Sequence, residues 1–399
     1  MSLPLGASPG VEESIAILFA VLLAAKIGDE IFRRIHQPAV IGEILAGVVL
    51  GSSVLGVVDA DDEVLEVFAE LGVIFLLFWV GLEVTISDLR EVGRPAFGAG
   101  LLGVVLPFAG GFGTGLALGF AVEEAVFMGA ALVATSVAIT STVLTELGVV
   151  KTPAGRTIIG AGVVDDICAI LLLALAVGVA GGEASALELG ATAALAVAFV
   201  AFFALGGTRL LRADPGLLAR PRFSESPLLP AVILCLGLAA LAATVGLAAI
   251  VGAFLAGMMV AETKETTPVH EEVAPLYAFF PPFFLVFIGV QVELGEFASG
   301  ETLVLLAMLT AVAAVTKFAG AYLGAAPLGR REAAIVGVGM VPRGEVGIIV
   351  AGLGLSLGAI DQQLFAVVVG MSLLTTLVAP YGLRALIARA PATRPSGTP

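Results

Sequence analysis

Long apolar runs alternate with short polar connections along the whole chain. With about 20 residues needed to cross a bilayer core, these runs predict thirteen helices, at 14–33, 38–57, 64–85, 95–119, 124–144, 155–180, 186–209, 227–245, 247–261, 274–292, 302–326, 332–356 and 363–387. Only Gly246 marks the boundary between the eighth and ninth. No connection is long enough to fold separately, so the pattern predicts an all-α polytopic membrane protein forming one unit over 1–399. The first span follows a short acidic leader (Glu12, Glu13) with no basic n-region or cleavage site, and is expected to be retained.

The polar connections differ in sign. Alternate ones carry Arg33/Arg34, Arg90/Arg94, Lys151/Arg156, Arg209/Arg212/Arg220/Arg222, Lys264, Arg330/Arg331 and, in the tail at 388–399 and just before it, Arg384/Arg389/Arg394. The opposite connections are acidic or neutral. Basic residues collect on the cytoplasmic side, which predicts an external N-terminus and a cytoplasmic C-terminus. Sixteen of the 19 basic residues lie in these connections or at the span ends beside them, and the remaining three, Lys26, Lys317 and Arg343, fall within spans.

Composition agrees with a bilayer: 59% of residues are hydrophobic, 13% are charged, and 50 glycines recur within the apolar runs, where small residues let helices approach closely. The net charge of −14 then sits largely outside. It would draw cations to the outer mouth or reflect a salty or acidic milieu. Cys168 and Cys235 lie in spans and suggest no disulfide framework. His36 and His270 are expected in solvated cytoplasmic loops.

The chain also repeats weakly. AVIGEILAGVVL at 39–50 returns as AIVGAFLAGMMV at 249–260, FLLFWVGLEV at 75–84 as FFLVFIGVQV at 283–292, and FAG at 108–110 as FAG at 318–320. Every offset is 208–210, so spans 1–6 correspond to spans 8–13, with the helix at 186–209 as linker. Because the first span starts outside and the eighth inside, the repeat is inverted. Inverted-repeat transporters place their sites where two helices are interrupted near the midplane. Thr135 and Ser136, in ALVATSVAITST of the fifth span, face by this offset GMVPRGEVG of the twelfth, where Pro342 removes a donor and glycines relax the chain. The fifth and twelfth spans are therefore expected to break and cross, freeing carbonyls and hydroxyls for an ion. Simple back-bonding of the hydroxyls to the preceding turn is the alternative.

The sixth span holds GVVDDICAILLLAL, with adjacent carboxylates Asp165 and Asp166 and no other charge. A charge at bilayer depth costs roughly 2.5–3.5 kcal/mol on insertion scales and normally marks a functional group. The pair points to a cation or proton site, against a structural ion pair or a water-filled crevice. Lys317, in AVAAVTKFAGAYLG, needs an acidic partner. Adjacent helical residues point about 100° apart, so Asp165 is expected to pair with Lys317 while Asp166 faces the ion. A purely stabilising Lys–Asp bridge competes with this reading. Arg343 and Glu345 are read as an ion pair holding the unwound backbone. Glu43 and Glu83 would line a funnel or meet water, and Trp79 is read as a packing residue.

Taken together, ATSVAIT, GVVDD, the intramembrane lysine, VPRGEVG and HQPAVIGEILAGVVLG resemble the bacterial and archaeal sodium/proton exchangers of the monovalent cation:proton antiporter superfamily, over essentially the whole chain and in the same order. The resemblance implies a dimerisation scaffold (14–85 and 227–292) beside a core (95–180 and 302–387) that moves like an elevator, in a homodimer. It makes Asp166 the principal Na⁺ and proton ligand, Asp165 the partner of Lys317, and Thr135 and Ser136 neighbours of the ion. Within the family an Asp-Asp pair goes with electrogenic exchange, Asn-Asp with electroneutral exchange and Gln-Asp with potassium-type members. Na⁺ (or Li⁺) for proton exchange is thus expected in the cell membrane, with K⁺ for proton exchange as the alternative. Up to Pro399 no G-x-G-x-x-G occurs in a strand–helix setting, so regulation through a nucleotide-binding domain like that of the glutathione-gated potassium antiporters is not expected.

No cofactor is expected beyond the transported ions. The expected partners are membrane lipid and a second copy, not nucleic acid. An enzyme is not expected. An intramembrane aspartyl protease needs two carboxylates converging from separate elements on a peptide bond, whereas neighbours on one helix point apart.

Overall fold

A computed structural model describes residues 9–388, apart from 36, 84–92, 137–139, 141–142, 145–146, 181–193, 196–197, 214–225, 227, 246 and 263–268. Among the described residues, all regular structure is helical. The principal helices are α1 (Pro9–Arg34), α2 (Ala39–Leu50), α3 (Glu63–Leu82), α4 (Arg94–Ala117), α5 (Val122–Ala131), α6 (Pro153–Ala180), α7 (Thr208–Ala213), α8 (Leu228–Thr244), α9 (Ala249–Ala261), α10 (Val269–Phe279), α11 (Pro281–Val290), α12 (Gly300–Gly324), α13 (Arg330–Gly339), α14 (Glu345–Ser356) and α15 (Gln362–Ala388). Six described segments are long and apolar enough to cross a membrane, one of them formed by α10 and α11 together. Shorter apolar helices include α2, α8 and α9. Residues 186–193 and 196–197 of the expected span at 186–209 lie outside the described residues, and the rest is helical.

Two expected spans differ in form. The second, expected to 57, ends as helix at Leu50, because Gly51 turns the chain into extended backbone. Gly56 then adopts a φ of 58°, which glycine tolerates without a Cβ clash, and Val57 N–H returns to the Leu50 carbonyl. The tenth begins earlier than expected, at Val269, and is divided at Phe280 ahead of Pro281 and Pro282. His270 consequently stands on the first turn of α10, not in a loop. Its ring lies 4.0 Å from that of Trp79, which also stacks on Tyr277 at 4.6 Å.

The chain divides into two compact units. The first comprises Met1–Arg90, Ile170–Leu303 and Gly352–Ala366, and the second Glu91–Ala169, Val304–Ala351 and Val367–Pro399. In the first, α2 crosses α11 and α3 crosses α9 at near-contact of the backbones. A Cβ at Gly47 would fall 2.0 Å from the Val286 carbonyl oxygen, and one at Gly289 would fall 2.0 Å from that of Ile44. Likewise Gly257 would meet Phe78 O at 2.1 Å, and Gly81 would meet Phe254 O at 2.2 Å. The 208–210 offset converts the first crossing into the second, residue for residue, as a two-fold relation between the halves requires. Small residues are what permit such approach where apolar burial supplies no drive between helices. Glu43, on α2, is buried and lies 3.8 Å from the half-exposed Lys26 ammonium, whereas Glu83 is exposed at the end of α3. On α1, Ile15, Phe19, Leu23, Ile27 and Ile31 are exposed along one side, a face suited to lipid.

The second unit repeats the same logic. A Cβ at Gly129 would meet the Phe108 carbonyl oxygen at 2.9 Å, and its counterpart at Gly337 would meet that of Phe318 at 3.2 Å. Close α4–α5 and α12–α13 approaches bring the interrupted segments beside the buried lysine.

Candidate functional site

The site lies in the second unit and starts from two helix breaks. α5 stops at Ala131, and α13 stops at Gly339, the position 208 residues on. Residues 134–136 and 341–344 are irregular, and α14 resumes at Glu345. Pro342 cannot donate a helical hydrogen bond, and Gly344 lets the two segments touch: a Cβ there would fall 2.4 Å from Ser136 Cβ. The segments satisfy one another directly. Ser136 N–H donates to the Pro342 carbonyl at 3.0 Å, Thr140 Oγ1 to the Gly339 carbonyl at 2.6 Å, and Thr135 Oγ1 makes a longer 3.4 Å contact with the Met340 carbonyl.

A broken helix leaves unpaired carbonyls with partial negative charge at its C-terminal end. Here two cations meet them. Lys317 Nζ donates to the Val133 carbonyl at 2.6 Å, and Arg343 Nη1 donates to the same oxygen at 3.0 Å and to Ala134 O at 3.2 Å. Arg343 Nη2 reaches the Ala313 carbonyl at 2.7 Å. The freed carbonyls of Val133 and Ala134 are thus engaged by side-chain cations, where the sequence suggested they would be open to an ion. Arg343 meets the unwound backbone through these carbonyls. The side chain of Glu345, its expected ion-pair partner, lies outside the described residues.

Lys317 also donates to Asp165 Oδ1 at 2.5 Å, and neither side chain is exposed at all. α4 runs alongside, since a methyl at Gly103 would sit 3.6 Å from Lys317 Cε. Removing one partner of such a pair strands a charge in low dielectric, a penalty of about 3–5 kcal/mol. Asp165 Oδ2 is buried with no hydrogen-bond partner among the described residues. Asp166, the next residue of α6, is half-buried. The structure therefore gathers Asp165, Lys317, Thr135, Ser136 and Arg343 around the interrupted segments, with Asp166 beside Asp165. Carboxylate and hydroxyl oxygens are the donors that suit a hard monovalent cation, and unwound segments commonly host such ions. Among the described residues no cluster of three or more His, Cys, Asp or Glu is placed to hold a metal ion.

Two residues passed unnoticed in the sequence. Thr375 and Thr376 of α15 are both buried. Arg343 N–H donates to Thr375 Oγ1 at 3.2 Å, and Thr376 Oγ1 donates to the Arg343 carbonyl. The available signal was LLTTLVA, an adjacent hydroxyl pair in an apolar span, which by itself reads as ordinary back-bonding.

With this geometry in place, similarity to known proteins extends along nearly the whole chain. The profile of the family described as sodium/hydrogen exchanger, transmembrane, matches residues 17–389. The Na(+)/H(+) antiporter of Enterococcus hirae is 37% identical over 376 residues, covering 93% of this chain and 97% of that protein. The Na(+)/H(+)-K(+) antiporter GerN of Bacillus cereus is 36% identical over 367 residues, 91% of this chain and 94% of that one. In fold, the chain resembles the sodium proton antiporter MjNhaP1 from Methanocaldococcus jannaschii, with a TM-score of 0.70 at 16% identity over 95% of this chain and 99% of that chain.

Proposed function

The chain belongs to the sodium/hydrogen exchanger family, and from that premise we propose that it exchanges Na⁺ for protons across the cell membrane at Asp166. It is a multi-pass membrane transporter and not an enzyme. The observation that carries the reading is the wholly buried Asp165–Lys317 pair with a second, half-buried carboxylate next to it on α6. Lys317 holds Asp165 inside the protein, and the half-buried Asp166 next to it on α6 is the carboxylate that we assign to the mobile cation.

With both aspartates ionised and Lys317 protonated, these three groups carry one net negative charge. Arg343 directs its charge at the carbonyls ending α5, whose partial charge is about −0.5. A proton on Asp166, or a Na⁺ on Asp166 with Thr135 and Ser136 beside it, neutralises the group. Crossing a low-dielectric barrier is cheap only in such neutral states. Competition of two cations for one carboxylate then yields exchange. By itself this one-for-one competition moves no net charge; the electrogenic form that the Asp-Asp pair implies, with more than one proton per Na⁺, needs a second proton, which the Asp165–Lys317 pair would carry.

The transporter would use thirteen spans, with its N-terminus outside and its C-terminal tail at 388–399 in the cytoplasm. Residues 95–180 and 302–387, with crossed breaks in the fifth and twelfth spans, would carry the site in an elevator movement. Residues 14–85 and 227–292 would form the scaffold of a homodimer, and 186–209 the linker. GerN is named as a Na(+)/H(+)-K(+) antiporter, which favours K⁺ for proton exchange as the second reading.

The test is proton flux in proteoliposomes under an imposed pH gradient, adding Na⁺, Li⁺ or K⁺ in turn to wild type and Asp166→Asn. Collapse of the gradient by Na⁺ in wild type and its loss in the variant are expected. No response to any cation, or an equal response in the variant, would sink the proposal. A rate that changes when the membrane potential is clamped at different values is expected of electrogenic exchange, and an insensitive rate excludes it.

A further inference from the structure

We propose that Thr375 and Thr376 are positioning residues for cation exchange, acting as a two-point clamp on the peptide groups of Arg343. The proposal rests on the antiport reading and adds to it the element that sets the geometry of the broken twelfth span.

A helix break orphans backbone donors and acceptors, and buried ones must find partners elsewhere. At Arg343 both are found on α15. Its N–H goes to Thr375 Oγ1 at 3.2 Å, and its carbonyl accepts from Thr376 Oγ1. Thr375 in turn donates to the carbonyls of Met371 and Ser372, at 3.0 and 3.1 Å. Both threonines are about as buried as Arg343 itself, at 4% exposure each against 0%. The clamp therefore fixes the Arg343 main chain against a continuous helix.

From there the contacts run on without a gap. The Arg343 guanidinium binds the Val133 and Ala134 carbonyls, the second belonging to the residue before Thr135. Val133 O is shared with Lys317, and Lys317 holds Asp165. A shift of the Arg343 peptide would thus move the carbonyl that Lys317 shares and the segment that carries Thr135 and Ser136.

The other half of the chain offers a parallel, because on α6 Asp165 holds Lys317 and Lys317 binds the Val133 carbonyl. The last helix of each half thus supports the interrupted segment of its own half. In the first half a carboxylate does so through Lys317, and in the second a neutral hydroxyl pair does so directly. One half supplies the titrating charge, and the other supplies a rigid, uncharged seat that keeps its geometry whatever the proton load.

The test compares wild type with Thr375→Val, Thr376→Val and Thr376→Ser in proteoliposomes, reading the apparent KM for Na⁺, the maximal rate and the pH profile of proton flux. Hydrogen–deuterium exchange of the peptide spanning 338–346 is measured on the same purified proteins. Loss of one buried hydrogen bond predicts about a tenfold rise in apparent KM for Thr376→Val, a displaced pH profile and faster exchange confined to 338–346. Thr376→Ser restores all three. A variant that loses thermal stability but keeps the wild-type KM and pH profile reduces the pair to a structural role and overturns the proposal. Unchanged exchange at 338–346 overturns it as well, even if wild type drives no cation-dependent flux. That last result, by itself, would instead remove the antiport reading. If the valine variants do not fold, Thr375→Cys and Thr376→Cys, which replace each hydroxyl by a much weaker hydrogen-bonding thiol, supply the same comparison in milder form.

Discussion

An ammonium with no exposed surface survives in an apolar span only if every charge-bearing contact is filled, and Lys317 has two such contacts, Asp165 and the Val133 carbonyl. Truncation leaves Asp165 buried and uncompensated. Lys317→Ala should therefore lower stability by about 3–5 kcal/mol, seen as a large drop in the thermal unfolding midpoint in detergent. Adding Asp165→Asn should recover most of that loss, because the stranded charge is removed with its partner. Additive losses in the double variant would mean the two residues do not act as a pair. Removing Lys317 is also expected to weaken or uncouple proton transport. Full activity at unchanged stoichiometry would leave it a purely structural role.

At the scale of elements, the decisive feature is how closely helices approach. The α2–α11 and α3–α9 crossings leave no room for a methyl group, since ideal Cβ atoms at Gly47, Gly289, Gly81 and Gly257 all fall within 2.2 Å of a carbonyl oxygen. Gly47→Ala must push α2 from α11 and should cost about 1–3 kcal/mol. Gly237, within α8, has nothing within 4 Å of its ideal Cβ. Gly237→Ala should be neutral or stabilising by up to about 1 kcal/mol, since alanine loses less backbone freedom in a helix. Thermal unfolding of both variants against wild type checks the contrast, and equal effects would refute the packing argument. The element-level repeat was legible as weak sequence echoes at one offset, and the reciprocal glycine contacts give it a physical basis.

For the whole molecule, competition between Na⁺ and protons at one carboxylate dictates a sign for pH dependence. At low pH protons occupy Asp166 and Na⁺ competes poorly, so exchange at limiting Na⁺ should rise steeply as pH increases through the neutral range. Stopped-flow proton flux at a fixed low Na⁺ concentration measures this, and a flat profile would contradict competition. The basic connections predict that a single cysteine introduced at position 394 is labelled only from the cytoplasmic side by an impermeant thiol reagent. A label from outside would reverse the proposed topology.

Helix type and the candidate charges were readable from the chain because they depend on local composition: an apolar run long enough for a bilayer, or a carboxylate with no polar neighbours. The family followed from short motifs in a fixed order. What only the tertiary structure decided were relations between residues far apart in sequence. Lys317 and the Val133 carbonyl are 184 positions apart, and Arg343 and the same carbonyl 210. No periodicity reports which side chain meets an orphaned carbonyl, because that choice belongs to packing. For the same reason the open carbonyls anticipated near Thr135 are engaged by cations, and an unremarkable Thr375–Thr376 pair holds the backbone of Arg343. Sequence alone identified the charges that a membrane tolerates only for a purpose, and the fold determined what each of them touches.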